Sequence, residues 1–257
     1  KDDQAKSLDE ETEQLNVEFY LPNPALNEIG PDMEDKPDLI LVDWVLHQKS
    51  DYEQDGISFE GRIREFFSDT PIFAFRAEEI EKRQSKERFD LIFELEDLTA
   101  ENAAERLIDE IKGYEDLLAI RGDGLDSLME LLDVPEDDRE EHLPSVLPQE
   151  FSEGVPGEND YESGAVLRLA RWIRNHLIGK PGLTWNQRLT ATKVGVSEEA
   201  FEEEYQEEFR NSVYTGPFST GADKQWWKSR VIDRLIELSA EKDVTMGSPW
   251  RSGPEIL

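Results

Sequence analysis

Short apolar runs alternate with amphipathic segments along the first half of the chain. Runs dominated by apolar residues at Asp38–Val42, Pro71–Phe75 and Leu91–Leu95 are typical of strands buried on both faces of a parallel sheet. Apolar residues at helical spacing predict a helix over Ile57–Phe67 and another over Ala100–Lys112. The alternation predicts a doubly wound α/β fold. Weaker patterns add a helix over 4–15, a short strand over 17–21 and a short helix near 77–86.

The second half of the chain has a different pattern. Residues 122–157 contain four prolines and an acidic cluster around one predicted helix at 124–133, which indicates a linker with limited structure. Farther along, helical spacing predicts helices over 162–178, 184–194, 197–211 and 223–241. The expected organisation is an α/β domain over 1–117, an acidic linker over 118–160 and a mostly α-helical domain over 161–257.

The charge of the chain is strongly acidic. Its 257 residues include 60 acids and 28 bases, for a formal net charge of −32. Such a charge repels itself at ordinary ionic strength, but a salt-rich cytosol would screen it, because the Debye length is only about 3 Å at 1 M salt. We therefore favour adaptation to halophilic prokaryotic life over an acidic surface that mimics DNA or binds cations.

The rare residue types exclude several kinds of chemistry. The absence of cysteine excludes disulfides, thiolate catalysis and cysteine metal sites. His47, His142 and His176 are far apart and lack a ligand spacing, so we expect no metal site. No nucleophile–base pair or phosphate-binding loop stands out, and we expect no catalytic residues and no enzyme activity.

The chain also lacks the pattern of a membrane protein. Its apolar runs are shorter than the roughly 20 residues that a membrane helix requires, and no signal-peptide pattern is present. We expect a soluble, cytoplasmic protein. Lys1 is not an initiator methionine, which leaves open whether residues precede it.

Two stretches carry a family resemblance. "KPDLILVDWVLHQ", followed by "DGISFEGRIREFFSDTPIFAFRAE", resembles the receiver domain of two-component response regulators. Asp43 matches the phosphoacceptor of that family, and Gly56 matches the glycine that opens the next helix. Asp2 and Asp3 are similar to the acidic pair of the family. The resemblance covers roughly residues 1–117 and implies a flavodoxin-like fold.

The chain departs from the receiver pattern around the phosphoacceptor. Arg76 stands where the family has a threonine or serine, and Glu94 and Glu96 stand where it has a lysine–proline pair. Phosphoryl transfer needs a cation on the phosphoryl oxygens and a divalent ion held by carboxylates. Arg76 could replace the cation, but we favour pairing with Asp43, which would stabilise the carboxylate. We expect a phosphorylation-incompetent receiver without a cofactor; Mg²⁺ would be needed only if it is active.

A stretch without acids is the strongest signal in the second half. No Asp or Glu occurs from Ser163 to Ser197. The basic residues of this stretch are Arg168, Arg171, Arg174, Lys180, Arg188 and Lys193. A second group mixes bases with aromatics and contains Trp226, Trp227, Lys228 and Arg230. Either the arginines pair with the acidic helix "SEEAFEEEYQEEFR", or the cations form a surface for phosphates or an acidic partner.

The segment "TATKVGVSEEAFEE" resembles a helix-turn-helix, with Gly195 at the turn, Ser197 as N-cap and Phe201 in the buried position. Its second helix carries four glutamates that would repel phosphates, so we interpret it as a packing element. If nucleic acid binds, we expect it on the helix face that contains Arg168, Arg171 and Arg174.

These features predict a non-catalytic regulatory or adaptor protein. The receiver-like domain would bind a protein partner, and the helical domain would contact a partner or nucleic acid; a homodimer is a further option. The combination is similar to multi-gene regulatory and phage-defence systems of prokaryotes. The alternative is a genuine response regulator that is phosphorylated on Asp43 and acts through a DNA-binding output domain.

Overall fold

The computed structural model describes residues 15–18, 36–43, 56–76, 88–94, 102–157, 164–220, 223–245 and 247–257. The chain divides into two compact units. The first unit is Lys1–Tyr114 with Tyr161–Leu167, and the second is Glu115–Asp160 with Arg168–Leu257. The helix predicted near 77–86 lies outside the described residues, as do most of the helix predicted over 4–15 and residues 19–21 of the first predicted strand.

The first unit contains a parallel sheet. Its strands are β1 (Ile40–Asp43), β2 (Ile72–Arg76) and β3 (Leu91–Glu94), and they lie in the order β1-β2-β3. All three fall within two residues of the predicted strands, because each apolar run is long enough to form one short buried strand. The prediction of an α/β fold with a parallel sheet is confirmed.

One helix belongs to the core of the first unit, and a second helix has its last five residues in the second unit. Helix α1 (Gly56–Arg64) contributes Phe59 and Ile63, which are buried with Val42, Ile72 and other apolar side chains of the sheet. Helix α2 (Ala103–Ala119) begins later and ends later than predicted. It extends past Lys112 because its apolar positions stay buried through Leu117.

Residues 115–157 differ from the predicted linker, because the structure packs them into the second unit. They form helices α3 (Leu125–Leu131), α4 (Glu136–Arg139) and α5 (His142–Val146), followed by a short 3₁₀ turn. Three of the four prolines do not interrupt these elements. Pro135 and Pro148 immediately precede helical turns, and Pro144 lies in the first turn of α5, where the missing N–H has no intrahelical partner to lose. Leu128, Leu132, Leu143 and Phe151 are fully buried.

The rest of the second unit is mostly helical. Helix α6 (Ala165–Trp172) begins near the unit boundary and continues as a π-helical segment over Ile173–Leu177. The helices that follow are α7 (Gln187–Val194), α8 (Glu198–Ala200), α9 (Lys228–Glu241) and α10 (Pro249–Ile256). Helix α8 continues as π- and 3₁₀-helical turns to Ser212. Among the described residues, no helix is long and apolar enough to cross a membrane.

Two short strands were predicted as helix. Strand β4 (Thr184–Asn186) pairs antiparallel with β5 (Gln225–Trp227), and each leads directly into a helix, α7 or α9. Three residues are too few for a period-two pattern, and the pairing joins segments about 40 residues apart. The helical periodicity that follows each strand therefore dominated the prediction.

Candidate functional site

The carboxyl edge of the parallel sheet brings together residues that the sequence analysis selected. Asp43 ends β1 opposite Phe75 of β2, and Arg76, the last residue of β2, is in register with Glu94, the last residue of β3. Carboxyl ends of parallel strands form the edge where α/β sheets bind ligands. The edge therefore has two acids and one arginine on three adjacent strands. Asp2, Asp3 and Glu96, which were predicted to belong to the same pocket, lie outside the described residues.

The opposite edge of the sheet has a charged network that sequence reasoning missed. Arg64 donates from Nε to Glu60 at 3.0 Å, from Nη1 to the Thr70 carbonyl at 2.6 Å, and from Nη2 to Asp90. Asp90 also accepts from the Ile72 amide at 2.9 Å, and its side chain is fully buried. The network joins α1 to the residues that begin β2 and precede β3, which is a structural role. Only the Glu60–Arg64 spacing on one helix face signals it in the sequence.

Three of the predicted binding arginines make contacts inside the second unit. Arg168 pairs with Glu150 at 2.9 Å, and Arg230 donates two hydrogen bonds to Asp133 at 2.7 and 2.8 Å. The guanidinium of Arg174 lies 3.9 Å from the ring centroid of Phe218, a cation–π distance.

These contacts weaken the expectation that the Arg168–Arg174 face of α6 binds nucleic acid, because the guanidinium groups of Arg168 and Arg174 are engaged inside the unit. Arg168 has an acidic partner outside the acidic helix, Glu150. Arg171 is half-buried on the same helix.

Four other predicted cations are exposed: Lys180, Arg188, Lys193 and Lys228. Across the described ranges, none of the four forms an ion pair with a carboxylate. Lys180 Nζ lies 3.4 Å from Nδ1 of His176, and Lys193 Nζ lies 6.0 Å from the ring centroid of Trp185. Among the predicted binding residues, all of which the structure describes in this unit, these four are the exposed cations.

Trp226 and Trp227 do not belong to an exposed binding surface. Both side chains are 0% exposed. The Trp226 ring packs edge-on against Phe201 at 5.5 Å, and Trp227 packs against Tyr214 at 5.9 Å. Their prediction as contact residues was wrong, because their positions in β5 point large apolar rings into the core.

The helix-turn-helix-like element forms with the local geometry that was predicted. Gly195 has φ of 83°, the left-handed conformation that favours glycine, and Ser197 Oγ accepts from the Ala200 amide at 3.1 Å. Phe201 is fully buried, while Glu198, Glu199, Glu202 and Glu203 are exposed. The exposed face of the second helix is therefore acidic.

Two polar clusters were not predicted from the sequence. Asp138 is buried, accepts from Ser229 Oγ at 2.5 Å and lies 3.2 Å from His142 Nδ1. The carboxylate is the central member of this group, whereas a hydrolytic triad has histidine between acid and serine. The arrangement joins α4, α5 and α9 and supplies no activated nucleophile.

The second cluster lies around Asp133, which accepts from Thr215 as well as from Arg230. The hydrogen bonds from Arg230 hold the pKa of Asp133 below its usual value. Within the same loop as Thr215, burial raises the pKa of Tyr214, whose hydroxyl donates to the Pro217 carbonyl at 3.0 Å. These groups stabilise the unit in fixed protonation states and are not set up for proton transfer near neutral pH.

No group of three or more potential metal ligands occurs in the part of the chain that the structure describes. Comparison with family models, with curated proteins and with solved structures finds no match for this chain.

Proposed function

We propose that the chain is a non-catalytic regulatory protein, in which a degenerate receiver-like unit binds a protein partner and the helical unit makes a second contact. The proposal includes the finer fold assignment, a doubly wound flavodoxin-like arrangement around the parallel sheet. It also includes a soluble, cytoplasmic setting in a salt-rich prokaryote. A sheet that keeps its strands but not its chemistry is available as an interaction surface, which is an argument by analogy.

One observation carries the proposal. Glu94 is the last residue of β3 and lies in register with Arg76 at the edge where Asp43 ends β1. A phosphorylated Asp43 would add a doubly charged group at an edge that already has a second acid. Transfer of a phosphoryl group depends on neutralising such charge, and Glu94 opposes it.

The experiment is incubation of the protein with acetyl phosphate and Mg²⁺, followed by intact mass measurement. We expect no added phosphoryl group in the wild type. A phosphoryl group that appears in the wild type and is absent from Asp43→Asn would overturn the proposal.

The second candidate is a working response regulator with Asp43 as phosphoacceptor. The observation that favours it is that β2 ends in an arginine, Arg76, a residue type that binds phosphate well. In that case Mg²⁺ is a required cofactor and Arg76→Gln abolishes the mass gain. In the non-catalytic case, Arg76→Gln changes nothing in this assay.

A further inference from the structure

Four exposed cations of the second unit, Lys180, Arg188, Lys193 and Lys228, lie in the stretch without acids and at the start of α9. Within the described residues none of them pairs with a carboxylate, although the chain has 60 acids against 28 bases. By contrast, Arg168, Arg230 and Arg234 all have acidic partners. We call the four unpaired residues the cationic surface.

The antiparallel ribbon connects the segments that carry this surface. Thr184 of β4 is opposite Trp227 of β5, and the Lys228 amide donates to the Leu183 carbonyl at 2.9 Å. Lys228 therefore begins α9 beside the loop that contains Lys180.

Lys193 and Arg188 lie on the helix that follows β4. The Lys193 ammonium lies 6.0 Å from the ring centroid of Trp185, the central residue of β4. Arg188 is exposed one turn before Thr192, which is also exposed. The exposed side of α7 thus carries two cations and a hydroxyl group.

Helix stability does not explain where two of these cations lie. Lys228 is the first residue of α9 and Arg188 the second residue of α7, and neither helix has an acid in its first turn. A cation at this end of a helix opposes the macrodipole, whereas an acid would stabilise it. In so acidic a chain, cations at both positions indicate a role in binding.

The net charge of the chain does not prevent such a surface from attracting an anion. The Debye length is about 8 Å at physiological ionic strength, so acids farther away are largely screened. What a ligand experiences is the local charge. Residues 163–197 contain no acid of their own, and acids from elsewhere contact the stretch at Arg168, through Glu150, and at Gln187, through Glu202.

We propose that the cationic surface binds the phosphodiester backbone of nucleic acid, without reading its sequence. The inference rests on the proposed function, which gives the helical unit a binding role. A duplex presents a charge about every 1.7 Å along its axis, so it can reach cations on α7, on the loop and at the start of α9 together. The exposed side chain of Asn186, whose Oδ1 accepts from the Leu189 amide, adds amide N–H donors that suit phosphate oxygens.

The proposed contact with the backbone differs from insertion of a recognition helix into the major groove, because the second helix of the helix-turn-helix-like element is acidic. Glu198, Glu199, Glu202 and Glu203 are exposed there, and they would repel phosphates at the entrance of a major groove. Contact through Arg188 and Lys193 of α7 and through the ribbon uses residues of the stretch that contains no acid, although Gln187 at the start of α7 donates to Glu202 at 3.1 Å.

Two double variants test the proposal: Lys180→Gln with Lys228→Gln, and Arg188→Gln with Lys193→Gln. Binding of a labelled random-sequence DNA duplex, and of an RNA duplex of the same sequence, is measured by fluorescence anisotropy between about 0.05 and 0.2 M salt. For DNA, each lost phosphate contact reduces the slope of log affinity against log salt by about 0.9. We expect each double variant to lower that slope by about 1.8 and the affinity at least tenfold.

The matched control is Arg210→Gln with Lys242→Gln, two exposed cations of the same unit outside the surface. It removes the same charge and should leave the salt slope unchanged. Near-UV circular dichroism confirms that all variants are folded. Preference for DNA or for RNA identifies which nucleic acid supplies the backbone.

Three outcomes would overturn the inference: no binding of either duplex by the wild type, equal losses in the control and the two double variants, or tighter binding of poly-glutamate than of either duplex. The last result would assign the surface to an acidic protein. None of these outcomes alters the acetyl phosphate experiment, so failure of this inference is distinct from failure of the proposed function.

Discussion

The guanidinium of Arg230 forms two parallel hydrogen bonds with the carboxylate of Asp133, at 2.7 and 2.8 Å. Asp133 has a positive φ of 50° and follows α3, whereas Arg230 lies in the first turn of α9, 97 residues away. Thr215 donates to the same carboxylate. One ionised side chain thus joins three parts of the second unit.

Replacing Asp133 with asparagine should destabilise the second unit by about 1 kcal/mol. Asparagine tolerates the left-handed backbone, so the change isolates the charge. The pKa of Asp133 is lowered in the folded state. The contribution of Asp133 to the free energy of unfolding is therefore fully present above its pKa in the unfolded chain, near 3.9, and is lost as the pH falls through its pKa in the folded protein. Urea unfolding, monitored by tryptophan fluorescence at several pH values, should show that the difference in stability between the wild type and Asp133→Asn shrinks below about pH 4.

The burial of Trp226 leads to a prediction that separates a core role from a binding role. Trp226→Ala should cost about 3–5 kcal/mol, because it removes a fully buried ring from the cluster with Phe201. Ile236→Ala is the control, since that side chain is half exposed, and it should cost far less. If Trp226→Ala left the urea midpoint unchanged, the assignment of this residue to the core would be wrong.

The approach of α10 to α7 depends on a glycine. A Cβ atom at position 253 would lie 1.7 Å from the carbonyl oxygen of Val194, and a backbone atom cannot move aside at low cost. Gly253→Ala should therefore destabilise the unit by at least about 1–3 kcal/mol. Gly182→Ala, where the nearest atom is 3.9 Å away, is the matched change, and its midpoint should stay close to that of the wild type.

The elements that could be predicted from the sequence are those specified by neighbouring residues. The three parallel strands arise from continuous apolar runs, and the Gly195 turn and Ser197 cap arise from local backbone requirements. The ribbon of β4 and β5 could not be predicted in this way, because its strands are short and their pairing is non-local.

The same limit applied to the candidate site. Parallel strands ending in Asp43, Arg76 and Glu94 were enough to bring these residues to one edge of the sheet. Whether an arginine is available for a ligand depends on partners distant in sequence. Glu150 lies 18 residues from Arg168, and nothing local indicates that the two meet. Spacing alone could not separate the paired arginines from the unpaired cations.

In the first unit, removal of Arg64 should cost more than removal of an exposed arginine on the same helix. Arg64→Ala leaves the buried Asp90 carboxylate without its guanidinium partner, and breaking a buried pair costs about 3–5 kcal/mol. Hydrogen exchange of the β2 amides should become faster. Arg62→Ala, on the exposed side of α1, should leave exchange unchanged; equal effects of the two changes would contradict the structural role of the Arg64 network.

Partial burial together with acidic repulsion inside the second unit makes one substitution stabilising. Partial desolvation, followed by the carboxylates of Asp137 and Glu237, raises the pKa of Asp233. The folded state therefore favours the protonated form of Asp233. As the pH rises above the pKa of Asp233 in the unfolded chain, ionisation of this carboxyl destabilises the folded state. Asp233→Asn should stabilise the unit at pH 7 and low salt, by less than about 0.5 kcal/mol because the residue is exposed.

Salt and pH separate this effect from a change in packing. In about 1 M KCl the Debye length is near 3 Å, so the repulsion is screened and the advantage of Asp233→Asn should shrink to the part that comes from desolvation. Below about pH 4 the wild-type carboxyl is protonated in the folded and in the unfolded state, so the advantage of Asp233→Asn should disappear there. The measurement is the urea midpoint of the wild type and of Asp233→Asn at pH 7 and low salt, at pH 7 in about 1 M KCl, and below about pH 4. A gain of the same size at low and at high salt would show that Asp233 is not a site of charge repulsion.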